Sequence, residues 1–144
     1  MTAKKGGKVL YTAQTQTVGL LQGHTKSSDG RLDVGLTAPG MNGDGTNPEQ
    51  LLASGWGACF ALSLAHTAMG MGIELPDDTA IDTEVDLCNK AGDYTGEFYV
   101  QARLKVTMPG VEREAAQSVL DAAHKTCPYH LATRGNVDTE VTLA

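Results

Sequence analysis

The chain has 144 residues, which is enough for one domain with its own core and too short for two. Its formal net charge of −6 argues against a nucleic acid or an anionic membrane as a partner. Aromatic residues make up only 5% of the chain, so burial of surface against a second copy would supplement a core that is short of large side chains. We therefore expect residues 1–144 to form a single domain that assembles as a homo-oligomer.

Two strands are predicted before the first helix. Residues 9–17 and 31–36 alternate apolar and polar side chains, and a glycine-rich loop follows them. Pro48 then suits the first position of a helix, where no backbone N–H is needed, and Asn47 precedes it as a capping residue. The helix is predicted to run from Pro48 to about Met71.

The first helix carries no formal charge between residues 50 and 73, a length that can span a bilayer. Its flanking residues, Glu49 and Glu74, are acidic, and no lysine or arginine lies beside either end as an anchor. We therefore favour a buried central helix over a membrane span. Gly55 and Gly57 would let another backbone approach this helix closely.

The second half of the chain predicts a hairpin, a second helix and a final strand. Alternation indicates strands over residues 79–88 and 94–108, joined by a short turn. Apolar residues at helical spacing predict a helix over residues 112–126, which Pro128 cannot continue, and residues 137–143 form the last strand. The order β-β-α-β-β-α-β predicts an α+β domain whose mainly antiparallel sheet packs around the long central helix.

Three cysteines are the candidates for chemistry. The first eight residues lack the apolar segment of a secretory signal, so we expect a reducing cytoplasm, where a disulfide is more often catalytic than structural. Cys88 shares the polar face of its strand with three carboxylates, which disfavour a reactive thiolate. Cys59 lies inside the apolar helix, and a thiol with the ordinary pKa of ~8.5 is only about 3% ionised at pH 7. A reactive Cys59 needs a nearby cation; without one it is a small buried hydrophobe.

Cys127 lies at the end of the second helix in a basic segment, between His124 and His130. The spacing His-x-x-Cys-x-x-His offers three metal ligands, with Cys59 as a fourth. Pro128 works against this arrangement, because it ends the helix on which the ligands would share a face. The alternative is a redox pair between Cys127 and Cys59, and sequence spacing alone leaves both interpretations open.

Four segments together resemble the organic hydroperoxide resistance proteins of the OsmC/Ohr superfamily. They are Ser-Ser-Asp-Gly-Arg-Leu-Asp-Val at residues 27–34, Gly-Thr-Asn-Pro-Glu-Gln-Leu at 45–51, Ala-Cys-Phe at 58–60, and Cys-Pro-Tyr at 127–129 with Ala-Thr-Arg-Gly-Asn at 132–136. The segments occur in the order of the family and span nearly the whole chain. Each alone is weak, and the combination is specific.

The resemblance implies a cytoplasmic thiol peroxidase that reduces organic hydroperoxides, forms an intertwined homodimer and uses no bound cofactor or metal. Cys59 would match the peroxidatic cysteine, which becomes a sulfenic acid, and Cys127 the resolving cysteine, which forms a disulfide with it. Glu49 would match the active-site glutamate, which holds a cation beside the thiolate. The reductant of the family is a dihydrolipoyl group on a lipoylated protein.

The spacing of Glu49 and Cys59 conflicts with a pocket formed by one straight helix. The two residues are ten positions apart, which corresponds to about 15 Å along a helix axis. Either the helix breaks near Gly55 or Gly57, or Glu49 serves the Cys59 of another subunit. The intertwined dimer that the resemblance implies agrees with the second alternative.

The chain departs from the family at the arginine that supplies the cation. The family carries this arginine six residues before the Ser-Ser-Asp-Gly segment, where this chain has Leu21. Leu21 cannot stabilise a thiolate, polarise a peroxide or pair with Glu49. The nearby cations that would have to replace the arginine are His24, Lys26 and Arg31.

A second departure lies after the second helix. His130 stands where members of the family usually have serine. It is either an acid or base near Cys127 or a surface side chain, and we favour the surface side chain.

Two functions follow from the resemblance. The first is a homodimeric peroxidase for bulky, fatty-acid-like hydroperoxides, with Leu21, Trp56 and Phe60 among the residues that line an apolar mouth. The second is an OsmC-like protein that senses redox state or binds a hydrophobic ligand with weak or no peroxidase turnover, because Leu21 replaces the arginine. A purely structural protein with inert cysteines ranks third.

Overall fold

The computed structural model describes residues 5–144, and contacts between residues divide the chain into two units, one up to Pro48 and one from Glu49 to Ala144. The first unit holds an antiparallel sheet in the order β1-β2-β3, formed by strands β1 (Thr15–Gly19), β2 (Gln22–Ser27) and β3 (Asp33–Thr37). The prediction of a strand from residue 9 is wrong in its start, because β1 begins six residues later. Strand β2 is an addition to the prediction; its sequence, Gln-Gly-His-Thr-Lys-Ser, has no apolar side chain that could produce an alternating pattern.

The Ser-Ser-Asp-Gly segment forms the turn between β2 and β3. The Ser27 N–H donates to the Leu32 carbonyl at 2.8 Å, and the Ser27 hydroxyl donates to an Asp29 oxygen at 2.6 Å. The same Asp29 oxygen accepts the Arg31 N–H at 3.0 Å, and Gly30 has a φ of +74°, which favours glycine. These contacts show that the residue types of this segment are those that the turn of the β2–β3 hairpin requires.

The second unit contains the long helix and a second three-stranded sheet. Its elements are α1 (Pro48–Met71, beginning at the boundary of the units), β4 (Ala80–Cys88), β5 (Tyr99–Thr107), α2 (Arg113–Thr126), α3 (Pro128–Thr133) and β6 (Thr139–Leu143). The sheet order is β4-β5-β6, with β4 and β5 antiparallel and β5 and β6 parallel. Helices α2 and α3 form the crossover that a parallel pair requires. The predicted α+β order is confirmed, and the short helix α3 is an addition to it.

The core of the second unit combines one face of β5 with one stripe of α1 and one of α2. Alternate residues of β5, namely Ala102, Leu104 and Val106, point into it. Helix α1 contributes Trp56, Phe60, Leu64 and Ala68, and helix α2 contributes Ala116, Val119, Leu120 and Ala123. Met108, after β5, and Cys127, after α2, complete the buried core. Within the single chain α1 is thus enclosed along one stripe, with a four-residue spacing, and not on all sides.

Helix α1 has the length and apolar composition to cross a membrane, as core helices of water-soluble proteins also do. Three of its large side chains, Trp56, Phe60 and Leu64, are each only 1% exposed within the core. This packing supports the interpretation of α1 as a core helix.

Candidate dithiol site

Cys59 of α1 and Cys127, at the junction of α2 and α3, lie next to each other. Their sulfur atoms are 3.9 Å apart, and both cysteines are reduced. Cys127 is fully buried, whereas Cys59 is partly exposed. A disulfide has an S–S length of about 2.05 Å, so the sulfurs need to approach by roughly 1.9 Å to form one. The arrangement therefore permits a disulfide after a small local movement.

The sequence Cys127-Pro128-Tyr129 explains how this corner forms. A residue before proline is biased towards extended geometry, and Cys127 has φ −60° and ψ 121°. Its backbone N–H donates to the Ala123 carbonyl at 2.9 Å, and its own carbonyl accepts the Leu131 N–H at 3.0 Å. Cys127 therefore closes α2 and caps α3, which fixes its backbone from both sides.

The first free backbone N–H of α3 contacts the Cys59 thiol. Pro128 has no N–H and occupies the first turn of α3, where backbone donors lack helical partners. The next donor, the Tyr129 N–H, acts to lower the pKa of Cys59. The sequence analysis missed this contact, because a backbone donor has no side-chain signature.

The net environment nevertheless raises the pKa of Cys59 above its ordinary value. Burial is the largest cause, because it disfavours the charged thiolate, and the neighbouring Cys127 raises the pKa further. Only the Tyr129 N–H among these contacts favours the thiolate. Cys59 in the single chain is therefore held as a neutral thiol at pH 7.

Gly55 and Gly57 of α1 face side chains in the single chain, where the sequence suggested another backbone. A Cβ on Gly55 would lie 2.8 Å from the Tyr129 hydroxyl oxygen, and one on Gly57 would lie 3.1 Å from the Thr83 hydroxyl oxygen. No backbone of the same chain therefore fills either position, and the approach of another subunit's backbone stays a prediction. Gly55 instead leaves space for the Tyr129 ring beside the dithiol.

Glu49 lies at the other end of the same helix segment. Helix α1 runs from Pro48 to Met71 without interruption, so the alternative of a break near Gly55 or Gly57 is wrong. Glu49 is thus about 15 Å from Cys59 along the axis. Its Oε2 atom is buried and has no hydrogen-bond partner among residues 5–144. The structure does not bring Glu49 and Cys59 of one chain together.

The candidate replacement cations already have carboxylate partners within the first unit. His24 Nε2 lies 2.6 Å and Lys26 Nζ 3.7 Å from oxygens of Asp33, and Arg31 Nε lies 3.8 Å from Asp29. The pairings of Lys26 and Arg31 offset their positive charges, and the His24 ring is hydrogen-bonded to Asp33. These contacts weaken the case for any of the three as a substitute for the arginine.

The predicted substrate-contacting residues differ in exposure. Leu21 lies in the turn between β1 and β2 and is 63% exposed, which suits contact with an apolar molecule. Trp56 and Phe60 are each 1% exposed and belong to the core of the second unit. Their visible role is packing, and a direct contact with substrate stays a prediction for both.

The proposed metal ligands of the basic segment do not converge. Cys127 is buried beside Cys59, whereas His124 Nε2 and His130 Nδ1 contact each other at 2.9 Å. Burial and the adjacent His130 lower the pKa of His124. No group of three or more histidines, cysteines, aspartates or glutamates that could hold a metal ion occurs in the described part of the chain. His130 is therefore a half-buried partner of His124, where the sequence analysis favoured a surface side chain.

Comparison with known proteins gives consistent results. The family model described as OsmC-like protein matches residues 41–142. The organic hydroperoxide resistance protein of Xanthomonas axonopodis pv. citri (strain 306) is 41% identical over 141 residues, covering 95% of this chain and 96% of that protein. The crystal structure of the organic hydroperoxide resistance protein OhrB of Bacillus subtilis is 40% identical, with a TM-score of 0.84 over 94% of this chain and 100% of that one. An organic hydroperoxide resistance protein from Elizabethkingia anophelis with bound thiocyanate is 34% identical, with a TM-score of 0.83 over 95% of this chain and 98% of that one.

Proposed function

Because the chain belongs to the OsmC-like protein family, we propose that it reduces organic hydroperoxides, with Cys59 as the attacking thiol and Cys127 as the resolving thiol. The observation that carries the proposal is the 3.9 Å separation of the two sulfur atoms. The names of the relatives support the substrate class. Cys88 lies on strand β4 and takes no part in the reaction.

The chemistry requires two steps at these two sulfurs. The Cys59 thiolate attacks the distal oxygen of the hydroperoxide, the O–O bond breaks, and the alkoxide leaves and takes a proton to become an alcohol. Cys59 is thereby oxidised to a sulfenic acid. The Cys127 sulfur then attacks the Cys59 sulfur, a disulfide forms and water leaves with the Cys127 proton.

A dithiol reductant would restore the two thiols. Its first sulfur attacks the disulfide and forms a mixed disulfide, and its second sulfur releases the protein as it closes its own disulfide. We propose a dihydrolipoyl group of a lipoylated protein as this dithiol, acting in the cytoplasm. The partly exposed Cys59 is the more accessible of the two sulfurs to such a reagent.

We also propose that the active unit is a homodimer. The face of α1 opposite the core is apolar and exposed in the single chain, with Leu62 64% and Met69 76% exposed. An exposed apolar helix face of this kind is typical of an interaction surface. A second subunit would also resolve the separation of Glu49 from Cys59, because Glu49 of one chain would serve Cys59 of the other.

Steady-state reduction of tert-butyl hydroperoxide with dihydrolipoamide tests the activity. We expect peroxide consumption by the wild type, loss of it in Cys59→Ser, and wild-type rates in the matched control Cys88→Ser. Rates for the wild type no greater than those for Cys59→Ser would reject the peroxidase. Size-exclusion chromatography with light scattering tests the dimer, which Leu62→Glu is expected to weaken through a buried charge.

A second function is favoured by one specific feature, the neutral state of Cys59. Burial raises the pKa of this thiol, and Leu21 stands where the family carries the arginine cation. An OsmC-like protein with such a thiol would sense redox state or bind a hydrophobic ligand with weak turnover. Formation of the disulfide by one equivalent of peroxide, without continued consumption in the presence of dihydrolipoamide, would identify this alternative.

A further inference from the structure

The ring of Tyr129 occupies a slot on helix α1 beside the dithiol. A Cβ built on Gly55 would lie 2.8 Å from the hydroxyl oxygen of Tyr129, and 3.5 and 3.6 Å from two of its ring carbons. The Tyr129 ring also lies 6.2 Å from the Trp56 ring, centroid to centroid, with an angle of 50° between the ring planes. Trp56 is itself only 1% exposed, so the packing of the core holds its ring in place. The Tyr129 ring therefore lies against both the Gly55 position and the Trp56 ring.

The backbone of the same residue contacts the reacting sulfur. The Tyr129 N–H acts to lower the pKa of Cys59, and the preceding Pro128 supplies no N–H of its own. The Tyr129 carbonyl accepts the Thr133 hydroxyl at 2.7 Å, which ties the residue to the next turn of α3. Because the ring and the N–H belong to the same residue, a displacement of the ring that side-chain rotation does not absorb also displaces the N–H.

We propose that Tyr129 is a positioning residue for the dithiol, and that Gly55 is required because it admits the Tyr129 ring. The packing of the Tyr129 ring against Gly55 fixes the position of the start of α3 along the axis of α1. This holds the Tyr129 N–H against Cys59, and it holds Cys127, two residues earlier, within reach of the same sulfur. The importance of this role for catalysis rests on the proposed function. The positioning of the two sulfur atoms and the Tyr129 N–H does not depend on it.

This role has special weight in a chain with Leu21 at the arginine position. Within the described residues, three influences shift the pKa of Cys59: burial, the neighbouring Cys127 and the Tyr129 N–H. Only the N–H favours the thiolate. Hydrogen bonds to charged groups are stronger than those between neutral groups. A loss of this one contact therefore has no compensation among these groups.

Gly55→Ala tests the proposal, because its Cβ would meet the Tyr129 hydroxyl at 2.8 Å. We expect alkylation of Cys59 at pH 7, followed by mass spectrometry of its peptide, to slow about three- to tenfold, with its pH midpoint shifted upwards. Disulfide formation with Cys127 is expected to slow as well. Gly70→Ala on the same helix is the matched control, since no atom lies within 4 Å of its Cβ.

A double variant separates positioning from general loss of structure. Tyr129→Phe removes the oxygen that clashes, and the ring carbons at 3.5 and 3.6 Å are at ordinary contact distance. Gly55→Ala/Tyr129→Phe is therefore expected to recover most of the alkylation rate and the midpoint. An unchanged midpoint in Gly55→Ala, or no recovery in the double variant, would overturn the proposal. These readouts do not use a peroxide, so failure of peroxidase turnover alone would reject the proposed function and leave the positioning role tested separately.

Discussion

Two positions of helix α1, Cys59 and Glu49, differ in which groups surround their side chains. At Cys59 the surrounding groups come from the same unit: the Cys127 sulfur at 3.9 Å and the Tyr129 N–H. About three turns earlier on the helix, Glu49 has a buried carboxylate oxygen without a hydrogen-bond partner among residues 5–144. One chain thus brings the two sulfurs together, whereas its described residues supply no hydrogen-bond partner for the Glu49 Oε2 atom.

This difference separates redox chemistry from electrostatics. Disulfide formation needs two sulfurs at short range, and the corner at Cys127-Pro128 provides them within one unit. Ionisation of Cys59 needs a favourable charge, and neither Glu49 nor Leu21 can provide it. A buried unpaired oxygen is costly. The Glu49 end is therefore where we expect a second subunit or a substituted side chain to have its effect.

The largest effect is expected from removal of the resolving thiol. Cys127→Ser keeps Cys59 and the Tyr129 N–H but removes the neighbouring protein sulfur, so that only the external dithiol can attack the sulfenic acid. We expect the rate of peroxide consumption with dihydrolipoamide to fall strongly, and a sulfenic-acid probe added before the dithiol to label Cys59 in this variant. Cys88→Ser provides the matched control and is expected to keep full turnover. Unlabelled Cys59 together with sustained turnover would contradict the assignment of Cys127.

The next effect concerns the missing cation. Leu21→Arg is expected to lower the pKa of Cys59, and one pKa unit corresponds to about a tenfold higher thiolate fraction and peroxide rate at pH 7. The pH profile of Cys59 alkylation and the rate with tert-butyl hydroperoxide measure this. An unchanged profile would show that residue 21 does not reach a thiol in the assembled protein.

Glu49 should respond differently in the two backgrounds. With Leu21 present, Glu49→Gln removes an unpaired carboxylate and is expected to leave the rate unchanged or raise it slightly. With arginine at position 21, the same change removes the partner of the new cation and is expected to lower the rate. The double-mutant cycle measures this coupling. Additive effects would indicate that the two positions do not interact.

Much of the fold could be predicted from local sequence signals. Helix α1 begins at Pro48 as predicted and ends at Met71, because Gly72 adopts a φ of +69° and breaks the helix. Strand β4 was predicted within one residue, since its side chains alternate strictly. Strand β2 and helix α3 were missed, because one has only polar or glycine residues and the other is six residues long.

The candidate site was less accessible to sequence reasoning. Cys59 and Cys127 are 68 positions apart. The choice between a metal site and a redox pair depends on the distance between their sulfur atoms, which sequence spacing does not determine. The Tyr129 N–H is a backbone group and carries no residue-type signal. Its availability follows from Pro128, and the proline was interpreted only as the end of a helix.

The smallest expected effect concerns acid stability at the corner that carries Cys127. Burial and the adjacent His130 lower the pKa of His124 in the folded chain, with Asp121 acting in the opposite direction. In the unfolded chain His124 regains its ordinary pKa of ~6.5 and binds a proton first as the pH falls. The free energy of unfolding therefore decreases from about pH 6.5 down to the lowered pKa, and this contribution is fully present above that range.

Urea unfolding of the reduced protein at pH 7.5 and 5.5 measures this contribution. His130→Ser removes the second-largest cause of the shift and leaves burial in place, so the difference between the two pH values is expected to shrink in part. His124→Asn removes the titrating group and is expected to shrink it further. An equal difference in all three proteins would assign the acid sensitivity to another group.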